Sequence, residues 1–212
     1  ANAAPADSYL QSAHDYEKAR DLKSAEIQLR NALEAEPANG TICVELAKVY
    51  LAMGNPNAAQ AELYAAHTRG VHDDVIAPLM AQAMLGIGQY GDLLKNVPAG
   101  NRPAKIESIV RMYRGLAFLG LNETANAVQM LTDAERLDPN SIEPKIAHAR
   151  LLMTQKKPDD AAAEINSALA KSPHNSAALE MRGILYQMHG QLDQALKQFS
   201  AAIAADPRNV RA

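Results

Sequence analysis

An all-α repeat protein is the fold class this sequence predicts, a solenoid of six helix pairs. Three observations predict it. The stretch from Ser176 to Asn209, SAALEMRGILYQMHGQLDQALKQFSAAIAADPRN, recurs in weaker copies at steps of 34 residues. The copies fall in phase at 6–39, 40–73, 74–107, 108–141, 142–175 and 176–209, with no insertion or deletion. Each holds two amphipathic segments parted by a short break, as at His189-Gly190. Alanine, the strongest helix former, is the commonest residue, and alternating β-branched runs are missing.

Four columns make the phase physical. Ala13, Ala47, Ala81, Gly115, Ala149 and Gly183 are all small, which lets the two helices of a pair cross closely. Tyr16, Tyr50, Met84, Phe118, Leu152 and Tyr186 are all large enough to fill the space between helices. Ala25, Ala59, Ala127, Ala161 and Ala195 form a second small column, with Leu93 the exception. Leu29, Leu63, Val97, Leu131, Ile165 and Phe199 are apolar core candidates. Pro37, Pro139, Pro173 and Pro207 close second helices, because proline cannot continue the hydrogen-bond ladder.

Taken in order, the first copy predicts helices near 6–19 and 22–36, and the second near 40–53 and 56–69, with Pro56 just inside a helix start. The third copy is irregular. Its first helix is expected at about 75–87, but its second runs only from Tyr90 to Val97 and stops at Pro98. VPAGNRPAK replaces the last two turns, and the next helix starts near Lys105. This irregularity reads either as local degeneration or as a hinge or partner-specific bulge. The remaining helices are expected near 106–120, 123–137, 142–155, 158–171, 176–189 and 192–206, with Pro158-Asp159-Asp160 opening one of them. Asn122 is read as a helix N-cap.

The set of columns resembles the tetratricopeptide repeat (TPR), a 34-residue helix–turn–helix unit with small and aromatic residues at set positions and a closing proline. The resemblance covers nearly the whole chain and implies one right-handed α-solenoid domain over residues 1–212, with the third repeat degenerate. The frequent early tryptophan of the family is replaced by Tyr9, Cys43, Ala77, Arg111, Lys145 and Leu179. Arg111 and Lys145 put charges into the first turns of their helices.

Composition excludes several function classes. Lys+Arg number 21 against 24 Asp+Glu, a net charge of −3, with no basic block to displace phosphate counterions. There is no Trp and only 2 Phe, so a base-stacking platform is not expected either, and no nucleic-acid partner is. The single cysteine, Cys43, excludes an internal disulfide framework and lies on a core-facing column, as a buried inert thiol. No apolar run reaches the length of a membrane span. No nucleophile elbow, phosphate-binding loop, zincin helix or dinucleotide fingerprint is present, so no catalytic residue, metal or cofactor is assigned and the chain is read as a non-enzyme. His67, His72, Asp73 and Asp74 form the most ligand-like cluster, read as a solvated turn with Asp capping the next helix. His148 is read as a polar residue on a helix surface.

What the resemblance implies about function is a concave groove lined by the first helix of each repeat, holding a peptide or a partner helix. Phase places three columns there: Leu10, Val44, Pro78, Met112, Ile146 and Glu180; His14, Lys48, Gln82, Leu116, Arg150 and Ile184; Glu17, Leu51, Leu85, Leu119, Met153 and Gln187. The groove residues singled out are Lys48, Pro78, Gln82, Leu85, Met112, Leu116, Leu119, Arg150 and Met153. They are mostly apolar, as binding surfaces often are, and methionine adapts to varied ligands. Only Lys48 and Arg150 are basic in these columns, so a clamp for a chaperone's C-terminal carboxylate is not expected.

A finer likeness rests on SAEIQLRNALEAEP in the first copy, the shortened third copy, and Arg114-Gly115 and Arg182-Gly183. These are similar to long bacterial TPR proteins, often lipoproteins, of exopolysaccharide and PEP-CTERM/exosortase loci. The likeness implies a non-catalytic scaffold in the periplasm or cell envelope, serving polysaccharide export or secretion. A cytoplasmic TPR adaptor or co-chaperone is the alternative, and part of an enzyme or a carbohydrate-binding protein a remote one. Leu192, Leu196, Phe199 and Ile203 recur at helical spacing with no further helix after them. They lead to the expectation that the chain is a piece of a longer array, or that this repeat self-associates.

Overall fold

A computed structural model describes residues 6–206; the closing Pro207 lies outside the described residues. Twelve α-helices and no strand occur among them. The chain divides into two compact units, 1–106 and 107–212. The first unit holds α1 (Ala6–Lys18), α2 (Leu22–Ala35), α3 (Gly40–Ala52), α4 (Pro56–Thr68), α5 (Asp73–Ile87) and α6 (Tyr90–Asn96). The second holds α7 (Ala104–Gly120), which begins just before the division, then α8 (Thr124–Leu137), α9 (Glu143–Thr154), α10 (Pro158–Lys171), α11 (Ser176–Met188) and α12 (Leu192–Ala205).

In the first unit α1 pairs with α2, α3 with α4 and α5 with α6, and α2 also packs on α3 and α4 on α5; in the second α9 pairs with α10 and α11 with α12, and α8 also packs on α9 and α10 on α11. The small columns are why. Ala13, Ala47, Ala81, Gly115, Ala149 and Gly183 are all buried, and so are Ala25, Ala59, Leu93, Ala127, Ala161 and Ala195. Leu29, Leu63, Leu131 and Ile165 fill the space those residues leave and have no exposed surface. Truncating one of them to alanine costs about 2–5 kcal/mol. The large column is less uniform: Tyr50, Met84 and Leu152 are buried, but Tyr16 is 38% exposed.

One turn recurs six times between the helices of a pair. Arg20, Gly54, Gly88, Asn122, Lys156 and Gly190, each 34 residues apart, all have φ between 58° and 85°. The following N–H reaches back five residues, as Asn55 to the carbonyl of Tyr50 at 2.8 Å and Gln191 to that of Tyr186 at 2.9 Å. This left-handed C-terminal motif satisfies the carbonyls a helix end leaves open. It corrects the reading of Asn122 as an N-cap. Asn122 sits in the turn at φ 61°, and Glu123 holds the N-cap position without a side-chain hydrogen bond. Asparagine suits both positions, and the helix boundary decides between them. Elsewhere the side chains of Asp21, Asn39, Asn55 and Asn175 do cap their helices.

The third repeat departs as expected. α6 has 7 residues where α2 and α8 have 14. Pro98 and Pro103 flank the loop that follows, and Arg102 pins it. Its guanidinium donates to Asp73 Oδ2 at 2.8 and 3.1 Å and to the Pro98 carbonyl at 3.0 Å. α5 starts at Asp73 and α7 at Ala104, each slightly earlier than the sequence pattern implies.

Both charges are accommodated, Lys145 in the first turn of α9 and Arg111 two turns into α7, which starts earlier than expected. Arg111 bonds Glu107 at 2.8 Å and Asp133 at 3.0 Å, and Lys145 lies 3.6 Å from Glu135 and 3.7 Å from Glu164. Where tryptophan is frequent in the family, these two repeats instead join their helices by ion pairs. Ser108 Oγ donates to the Ala134 carbonyl at 2.7 Å, and Ser176 Oγ repeats that bond to Ala202 at 3.0 Å.

Candidate binding surface

The three columns assigned to the inner face are not equally accessible. The first is mainly core: Val44, Met112, Ile146 and Glu180 are 2, 6, 8 and 8% exposed. Met112, singled out as a groove contact, packs instead with Ala127, Leu131, Ala134, Ala147 and Leu151. The helix turns its first-column residues toward the neighbouring helices, which a repeat phase by itself does not reveal. The second column is the outward one, with His14, Lys48, Gln82 and Arg150 exposed. Residues of the third column are mostly half-buried.

In the first unit, Lys48 is exposed and bonds Glu45 at 2.8 Å. Pro78 lies inside α5 and is half-buried, as is Leu85, while Gln82 is exposed. No single cavity among those described gathers these residues. A separate cavity of about 150 Å³ opens where α6 is truncated, lined by Tyr64, His67, Asp73, Met80, Met84 and Val97 among others. The His67–Asp74 turn therefore divides its residues. His67 and Asp73 face this cavity, Asp73 also held by Arg102, whereas His72 and Asp74 do not line it. The cap of α5 is His72, not an aspartate, its Nδ1 accepting the Asp74 N–H at 3.3 Å.

In the second unit, Leu116 and Leu119 pack against the α7–α8–α9 core. Arg150 and Met153 come together in an open pocket of about 540 Å³ between α9 and α11. Thr154, Glu180, Met181, Ile184 and Met188 complete its lining. Glu180 is 8% exposed and, among the described residues, has no hydrogen-bond or ion-pair partner. Arg150 is exposed and likewise unpaired. Three methionines and an isoleucine thus surround a carboxylate and a guanidinium that do not neutralise each other. Such a surface takes an apolar side chain with polar groups beside it. Thr154, Met181 and Met188 were not legible as pocket residues, because each lies outside the three columns; 54% exposure of a methionine as large as Met188 is the structural signal.

Two titratable sites are also resolved. Cys43 is fully buried, and burial pushes its thiol up. His148 is not a free surface residue: it is half-buried, its Nδ1 2.7 Å from Glu135 Oε1. That hydrogen bond outweighs burial and raises the imidazole's pKa. Burial alone would raise Glu135, but His148 and Lys145 bring its carboxyl below the ordinary value. No described helix is long and apolar enough to cross a membrane.

Comparison with known proteins bears on this architecture. Two tetratricopeptide repeat family models match the chain, over residues 10–83 and 146–210. No curated protein matches it by sequence. Solved structures do. The Pseudomonas aeruginosa pilF protein is 20% identical, with 97% of this chain and 94% of that one covered and a TM-score of 0.64. PilW, described as a widely conserved type IV pilus biogenesis factor, is 16% identical, with 97 and 96% covered and a TM-score of 0.70. The APC/C hetero-tetramer Cut9-Hcn1 gives 13% identity and a TM-score of 0.74, with 98% of this chain covering 41% of that one. At these identities the likeness is one of fold. With the in-phase columns, the repeated turn and the two family matches, the chain belongs to the tetratricopeptide repeat family.

Proposed function

We propose that this chain is a non-catalytic scaffold that holds another protein on the inner faces of its first helices. The observation that carries the reading is the α9–α11 pocket, where Met153, Ile184 and Met188 stand open over the buried Met181, beside an unpaired, nine-tenths buried Glu180 and a free Arg150. TPR proteins as a family bind other proteins. A buried carboxylate without a partner is costly, and a cation brought by a bound segment relieves that cost. The occupant that fits is a peptide or helix placing an apolar side chain among the methionines, a basic group on Glu180 and an acidic one on Arg150.

The compartment we propose is the bacterial periplasm or cell envelope, in polysaccharide export or secretion. The likeness of SAEIQLRNALEAEP, the short third repeat and the two Arg-Gly pairs to envelope TPR proteins supports it. Self-association through α12 is a second contact. Leu192 and Leu196 are each 66% exposed and Ile203 44%, forming an apolar stripe on that helix.

A photo-crosslinking residue at Ile184, compared with one at outward-facing Ala163, tests the binding surface in native cells. Discrete adducts from Ile184 alone are expected, and they should vanish in Met153→Asp. Equal adducts from both positions would place binding on another surface. Fractionating the same cells tests the compartment, and sedimentation of Leu196→Lys against the unsubstituted chain tests self-association.

A further inference from the structure

Among the described residues, two groups of His and Glu side chains bring their ligand atoms within 4.8 Å of one another: His14, Glu17 and Glu45 in the first unit, and Glu135, His148 and Glu164 in the second. They differ in how far each is already satisfied. In the second group His148 is bonded to Glu135 at 2.7 Å, and Lys145 lies 3.6 and 3.7 Å from the two carboxylates. An imidazole and an ammonium internal to the protein thus already partner its carboxylates. In the first group Lys48 bonds only Glu45, at 2.8 Å. Glu17 Oε1 has no exposed surface and no hydrogen-bond partner.

We propose that His14, Glu17 and Glu45 form a binding site for a divalent transition-metal ion of the zinc type. His14 and Glu17 stand three residues apart on α1, which puts them on one helix face, and Glu45 meets them from α3. One imidazole nitrogen and two carboxylate oxygens suit a borderline cation, whereas magnesium and calcium favour all-oxygen sites. Donor atoms around a tetrahedral zinc lie about 3.4 Å apart, so small rotations of these long side chains close the remaining distance. The ion supplies what the protein leaves missing, a partner for the orphaned Glu17 oxygen and a charge between two carboxylates. Three protein ligands leave one tetrahedral position open, on the face where His14 and Lys48 are exposed.

Calorimetric titration of the full chain with Zn²⁺ tests the site. One ion per chain is expected, with the imidazole NMR signals of His14 shifting as it binds. His14→Ala and Glu17→Gln should each weaken binding about ten-fold or more, since even outer-shell changes cost that much. Lys48→Met should strengthen it by removing a competing cation, and His148→Ala should leave it unchanged. His14 is exposed, so its variant keeps the fold, which circular dichroism checks. No saturable binding, an undiminished affinity in His14→Ala, or loss of binding in His148→Ala would overturn the proposal.

Discussion

The ring of Phe199 occupies the place a side chain on Gly183 would take: a Cβ built there meets Phe199 Cε1 at 2.5 Å and Cδ1 at 2.6 Å. The pair joins two columns of the repeat, one small and one large, across α11 and α12. Every other member of the small column is alanine except Gly115, where a Cβ would meet Leu131 Cγ at 2.8 Å. Glycine therefore appears where the facing side chain of the partner column, Phe199 or Leu131, lies too close to admit a Cβ. Gly183→Ala is expected to destabilise the second unit by about 1–3 kcal/mol through overpacking, less the gain of roughly 1 kcal/mol in helix propensity. Phe199→Leu in the same chain should restore most of the loss. A double-mutant cycle by urea denaturation measures the coupling, and additive effects would refute it.

Stability should depend on pH through His148 and Glu135. The imidazole's pKa is raised by its hydrogen bond to Glu135, from an ordinary value of 6.5. Its contribution is complete below that value and is lost as pH rises through the higher folded one. The carboxyl of Glu135 is lowered from 4.5, so its contribution is complete above that and is lost as pH falls through the lower folded value. The pair thus stabilises most between about 4.5 and 6.5. Unfolding midpoints at pH 5.5 and 8 should fall with rising pH in the unsubstituted chain, and His148→Gln should shrink that difference.

Tyr50 supplies a third test. It is 4% exposed, and its hydroxyl donates to Glu26 Oε1 at 2.8 Å while accepting from Arg30. Burial, then the bond to Glu26, pushes its hydroxyl up to about 12. Tyr50→Phe should cost about 1–2 kcal/mol by removing a partner from both charged groups. The same denaturation assay reads it, together with a rise in the pKa of Glu26 seen by NMR, because the tyrosine bond is the largest cause of that carboxyl's depression.

The recurring turn predicts a gain. Arg20, Asn122 and Lys156 hold the left-handed conformation that glycine holds at Gly54, Gly88 and Gly190. That conformation costs a side-chain-bearing residue about 1–2 kcal/mol, against the roughly 0.4–1 kcal/mol glycine loses through a freer unfolded chain. Lys156→Gly is therefore expected to stabilise by about 0.5–1 kcal/mol and Gly190→Ala to destabilise by a similar amount, both visible as shifts of the urea midpoint. Opposite signs would mean the turn is not under this control.

The sequence by itself determined the repeat, its phase and its helices. Residues such as Ala47, Leu63 and Pro139 act through steric size and a missing N–H, properties that hold wherever the residue sits. The shortened α6 was legible for the same reason, since Pro98 ends a helix in any context. Tertiary structure alone decided which inner-column residues face outward. Met112 and Met153 read alike in sequence, but Met112 is turned into the α7–α8–α9 core while Met153 lines the pocket with Arg150 and Glu180. It also decided which charges are answered. Lys145 and Arg111 find carboxylates on neighbouring helices, whereas Glu17 Oε1 and Glu180 find none among the described residues. Helical periodicity fixes only the direction in which a side chain leaves its own helix. Burial and charge pairing depend on how the next helix meets that direction, and that meeting is set by packing.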